Sequence, residues 1–124
     1  MNNQPVYLNL FKIKLPLTGG ISFIHRVTGI LLFLAIPLCI YLLQRSLQTE
    51  TGFNDVARLL NHPLMIFLQV IIIGSLLYHL FAGIRFLLMD IDIGLEKKSA
   101  EQSSWLVLLA TIVSCILFLF VRFF

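Results

Sequence analysis

The sequence predicts an all-α fold, an integral membrane bundle of three transmembrane helices forming a single domain over residues 1–124. Two observations carry this. Of the 124 residues, 59% are hydrophobic and only 12% are charged, with a mean hydropathy of +0.96, whereas a soluble domain carries about a quarter charged residues to cover its surface. The few charges are also bunched, which leaves three uncharged runs of about 18, 22 and 20 residues, close to the ~20 that cross a hydrocarbon core. A very hydrophobic soluble bundle is the alternative, and those run lengths exclude it. Each run is expected to be helical, because a segment in lipid must satisfy its backbone polar groups internally, and three short strands cannot close a barrel.

The elements follow in order. Residues 1–17, with Pro5 and Pro16, read as an irregular lead at the inner surface. Thr18 is expected to cap the first helix, with Gly19 and Gly20 allowing a tight turn, and the helix to span 20–46. This run is too long for the apolar region of a signal peptide, no small-residue cleavage site follows it, and two more spans come after. The N-terminus lacks the Arg- and Ser-rich character of a transit peptide, which fits a bacterial chain or a mature organelle form. Residues 47–62 read as a polar outer loop broken by Gly52, with one short amphipathic turn at 53–60. The second span covers 63–89, with Pro63 at a permitted first-turn position. A charged inner loop covers 90–102, and the third span 103–121, with Trp105 at an interfacial position.

Charge gives the orientation. Lys12, Lys14, Arg26, Arg85, Lys97 and Lys98 would lie on one side, and Arg45, Arg58 and Arg122 on the other. The positive-inside rule places the N-terminus in the cytoplasm. The net charge of +3 therefore reads as topology, and with no basic stripe of interleaved aromatics a nucleic-acid partner is not expected. Cys39 and Cys115 fall inside spans without a Cys-x-x-Cys pattern, so they read as small apolar fillers.

Polar groups in the spans point to function. Ser22, His25 and Arg26, spaced by three and four, share a face at the inner end of the first helix, and Gly29 continues it one turn deeper. They read either as interfacial anchors or as a site. His79 lies eleven residues before Asp90, or ~16 Å into the second helix. An ionisable group at that depth is costly and points to function. Ser75, His79 and Gly83 form a stripe that lets a helix or a flat ring approach. His79 is thus either a packing histidine bonded across a helix pair or an axial ligand to haem iron. A proton relay or a transporter is disfavoured, because no Asp or Glu lies within a span. By depth His25 and His62 cannot oppose His79 on one iron, so a six-coordinate iron would take its second ligand from another chain.

Two segments carry a family resemblance. Leu15-Pro16-Leu17-Thr18 followed by Ser22-Phe23-Ile24-His25-Arg26-Val27-Thr28-Gly29, and Tyr78-His79-Leu80-Phe81-Ala82-Gly83-Ile84-Arg85 with Asp90, resemble the two signatures of the cytochrome b membrane-anchor subunit of succinate dehydrogenase. Length, span number and motif order agree over nearly the whole chain. The resemblance implies half of a heterodimeric membrane anchor in a bacterial inner membrane, serving electron transport in the tricarboxylic acid cycle. It would be partnered by a second small anchor subunit, an iron–sulfur subunit and a flavoprotein subunit. It implies haem b shared with the partner anchor, His79 as axial ligand, His25 and Arg26 near the haem propionates, and Ser22 and Arg26 lining a quinone site. Where several relatives carry a second histidine seven residues after the ligand, this chain has Phe86. The alternative is a cofactor-free membrane anchor or regulatory subunit of another membrane complex.

Overall fold

The computed structural model describes residues 16–124; the lead through Leu15, with Lys12 and Lys14, lies outside the described residues. Four helices follow: α1 (Leu17–Gln48), α2 (Glu50–Leu60), α3 (Pro63–Asp90) and α4 (Lys97–Phe123). Among the described residues there is no strand. Three helices, α1, α3 and α4, are long and apolar enough to cross a membrane. α1 packs on both α3 and α4, α3 packs on α4, and α2 closes the end where α1 stops and α3 begins. The opposite end holds the start of α1, the α3–α4 turn and the start of α4, and is here the turn end.

The buried core is small: Ile21, Tyr78, Ala82 and Val107, with Phe81, Phe86 and Leu108 packed against it. Large apolar side chains point outward instead, Phe33 and Val121 both 72% exposed. In water that surface would drive aggregation; in lipid it is the matching face, so helix association leans on close packing and buried polar contacts.

Several boundaries differ from the sequence expectation. α1 begins three residues earlier than 20, with Pro16 rather than Thr18 at the cap and no side-chain cap bond. Pro16 is extended, and its carbonyl accepts the Gly20 N–H at 3.1 Å, so Thr18, Gly19 and Gly20 are helical from the outset. Gly52 does not break the chain but lies buried inside α2, whose cap is Thr49, its side chain accepting from the Gly52 N–H at 2.9 Å. A Cβ at Gly52 would collide with the Arg45 carbonyl, so glycine there lets α2 fold back on α1. α4 starts at Lys97, six residues before 103, because Lys97–Gln102 are good helix formers that continue past the apolar run. The α3–α4 turn is therefore only residues 91–96, with Asp92 and Gly94 at positive φ.

Candidate functional site

The polar residues inside the spans meet where α1 crosses α3. His25 and His79 stack, ring centroids 3.9 Å apart and planes 11° apart. Glycine makes the approach possible, reciprocally. A Cβ on Gly29 of α1 would stand 3.1 Å from His79 Cε1, and one on Gly83 of α3 would stand 3.5 Å from His25 Nε2. Each histidine sits one turn before the glycine of its own helix, and the helices run antiparallel, so each imidazole lies against the other helix's glycine.

This corrects the depth argument. His25 lies eight residues past Leu17, ~12 Å into α1, because the helix starts early. That brings it level with His79. Depth therefore does not separate the two histidines; geometry does. Imidazole lone pairs lie in the ring planes, so two stacked, near-parallel rings cannot aim theirs at one iron held between them.

Hydrogen bonding fixes the tautomer of His79. Its Nδ1 is 3.1 Å from the His25 carbonyl oxygen and 3.3 Å from Thr28 Oγ1. Thr28 donates its own proton to that same carbonyl at 2.9 Å. A carbonyl only accepts, so Nδ1 must carry hydrogen, and the lone pair belongs to Nε2. A ligating imidazole is commonly oriented in this way, its other nitrogen donating to a carbonyl. His79 also borders an apolar groove of about 580 Å³ along α1 and α3, lined by Gly29, Leu32, Phe33, Ile36 and Leu76 among others. The donor set fits a porphyrin iron better than a bare ion. Among the described residues no three His, Cys, Asp or Glu side chains gather to hold a metal, whereas an iron already on four pyrrole nitrogens needs one imidazole from this chain.

The remaining expected residues divide. His25 faces α3, with Phe86 edge-on at 5.2 Å, so phenylalanine here packs the imidazole on one side. His25 Nε2 is buried with no hydrogen-bond partner among the described residues. Arg26, the next residue, is exposed, and Ser22 one turn before it is half-buried. Ser22 and Arg26 thus form a pair on the outer side of α1, beside rather than within the histidine stack.

Three residues escaped the sequence reading. Thr28, buried, bonds both histidines' groups. Tyr78, next to His79, donates to the Ile21 carbonyl at 3.0 Å and locks α3 to α1. Arg85 is only 5% exposed and donates to Ser103 Oγ at 2.9 Å and the Ala100 carbonyl at 3.1 Å, tying α3 to α4. All three stand inside the two quoted motifs, which was the available signal.

Residues 1–118 match the model of the succinate dehydrogenase/fumarate reductase transmembrane subunit family. The chain is similar to the succinate dehydrogenase cytochrome b556 subunit of Coxiella burnetii, at 36% identity over 115 residues, 92% of each chain. It is similar to the cytochrome b560 subunit of Reclinomonas americana, at 30% over 127 residues, 94% of this chain and 87% of that one. To the cytochrome b556 subunit of Paracoccus denitrificans it is 30% identical over 121 residues, 98% and 93% of the two.

Proposed function

The chain belongs to the succinate dehydrogenase/fumarate reductase transmembrane subunit family, and from that premise we propose that it is the haem-binding anchor that carries electrons to quinone. It is a membrane-anchor cytochrome b subunit of succinate dehydrogenase, a multi-pass helical protein associated with the flavoprotein and iron–sulfur subunits of the enzyme. His79 would hold haem b, which this chain would share with a second small anchor subunit. The observation that carries this is the engagement of His79 Nδ1 by the His25 carbonyl and Thr28, which frees Nε2 beside the groove. A haem bound there would supply one-electron transfer. Arg26, exposed on α1 next to the stacked His25, would meet a haem propionate, with His25 beside it.

Ser22 and Arg26 bind the quinone. A quinone is an apolar ring with two carbonyls, and needs an apolar surface ending in a few donors. The Ser22 hydroxyl and the Arg26 guanidinium, one turn apart, bond one carbonyl, and the guanidinium stabilises negative charge on that oxygen as electrons arrive. The turn end faces the cytoplasm across the inner membrane, where the electron-donating subunits dock. A reporter active only in the cytoplasm, fused after Phe124, is expected to be silent; activity there reverses the orientation.

The decisive experiment is a spectrum of the assembled complex. Wild type shows a reducible b-type haem band. His79→Leu assembles without that band while the peripheral subunits still oxidise succinate with a soluble dye. A full haem complement with an unchanged spectrum in His79→Leu rejects the ligand assignment.

A further inference from the structure

Arg85 poses a problem that the haem and quinone sites do not solve. It stands five residues, ~7 Å, from the turn end of α3. A cation there ordinarily snorkels to the headgroups. Instead its guanidinium is held inside, bonded among the described residues to two neutral oxygens, Ser103 Oγ and the Ala100 carbonyl. Among the described residues no carboxylate pairs with it, the two ion pairs being Arg45–Asp55 and Arg58–Asp55 at the other end. Asp90, Asp92, Glu96 and Glu101 surround the turn, but all four are exposed and none lines the space next to Arg85. A buried charge without a counter-charge is costly.

That space is a cleft of about 260 Å³ between α3 and α4. Its turn end is lined by Gly94, at φ +80°, and Ser99, which lie close together. Arg85 and Ser103 lie just inside, and the rest is apolar, ending at Ala110. Ser99 to Ala110 is eleven residues, ~16 Å, about half of the ~30 Å hydrocarbon core. The cleft thus has one leaflet's depth, with polar groups at the headgroup level and grease below.

We propose that this cleft binds one anionic phospholipid, its phosphate on Arg85 and the Ser99 and Ser103 hydroxyls, one acyl chain lying along α3 and α4. A guanidinium has five N–H donors, and the bonds to Ser103 and Ala100 leave some of them for phosphate oxygens. A quinone with its tail has the same outline but is neutral, and leaves the charge uncompensated. The inference does not depend on His79, since the cleft lies on the α4 side of α3 and the histidine stack on the α1 side.

The test uses the assembled complex in phosphatidylcholine bilayer discs, doped with a phosphatidylglycerol or a phosphatidylcholine carrying a diazirine in its acyl chain. Illumination should label the Ile84–Met89 and Leu106–Ala110 segments more with the phosphatidylglycerol probe, by about fivefold, the scale of one basic residue against an anionic headgroup. Ser99→Glu puts a negative charge at the turn end of the cleft, and Ala110→Phe fills its other end; neither removes a bond of Arg85. Each should reduce phosphatidylglycerol labelling there to the phosphatidylcholine level. Equal labelling by the two probes in wild type, or preferential labelling that survives both substitutions, overturns the proposal.

Discussion

The two ends of the bundle are held together by opposite means. At the α2 end the charged contacts lie at the surface, and only the Gln69 bond among those between elements is half-buried. Asp55 takes Arg58 at 2.6 Å and Arg45 at 3.6 Å, Arg122 reaches Asn61, and Gln69 donates to the Leu60 carbonyl. At the turn end and around the histidines the polar contacts are buried or half-buried and cross between the long helices. Tyr78 bonds the Ile21 carbonyl, His79 the His25 carbonyl, and Arg85 the Ala100 carbonyl. Exposed ion pairs are solvated in either state and contribute little, whereas buried donors and acceptors are costly to leave unmade. Polar groups in a membrane helix that have been brought inside, each to a backbone carbonyl of a neighbour, mark the half of the molecule where geometry must be kept.

The largest effect expected from a single substitution in that half is on turnover rather than stability. Arg26→Leu removes a charged donor from the proposed quinone carbonyl. Such a bond is typically worth ~1.5–3 kcal/mol, so quinone reductase efficiency should fall roughly ten- to a hundredfold. Succinate oxidation with a soluble dye should be unaffected, because it does not use the membrane site. Normal quinone reduction in an assembled Arg26→Leu complex would return Arg26 and Ser22 to the role of surface anchors.

The α2 end has one position that should not behave like its surface ion pairs. Gly52→Ala places a methyl group against the Arg45 carbonyl, a backbone atom that cannot rotate away. Overpacking of this kind typically costs ~1–3 kcal/mol. Unfolding in mixed detergent–SDS micelles should shift by that amount, while haem content stays unchanged. A neutral Gly52→Ala would mean that α2 is not seated on α1.

How much of this was legible in the sequence divides along the same line. The three spans were, because charge spacing and apolar run length are one-dimensional properties, and Pro63 at the first turn of α3 marks its start directly. Helix ends were less so. A membrane span and a helix are different lengths, and α4 extends its first turns past the apolar run with Lys97 and Lys98. The depth of His25 was misread for the same reason: counted from the apolar run it sits at the edge, and counted from Leu17 it is two turns inside. The buried state of Arg85 was not legible at all, since only the fold places Ser103 and the Ala100 carbonyl within its reach.

The finest test compares one buried and one exposed contact under the same measurement. Tyr78→Phe deletes a hydroxyl whose bond to the Ile21 carbonyl is buried between α1 and α3. The Ile21 carbonyl lies in the second turn of α1 and keeps its own helical partner, so no acceptor is orphaned. The expected loss is therefore the net value of one hydrogen bond, ~1 kcal/mol. Asp55→Ala deletes both ion pairs at once, but the side chains of Asp55, Arg45 and Arg58 are 44%, 51% and 80% exposed. Water and salt screen them, and Asp55–Arg58 is an ordinary i,i+3 surface pair, so the loss should stay within ~0.2–1 kcal/mol and shrink as salt rises. Tyr78→Phe should show no such salt dependence. If Asp55→Ala proves the more damaging, or Tyr78→Phe the more salt-sensitive, then the two ends are not held by different means, and the Asp55 cluster is shielded from water in the assembled complex.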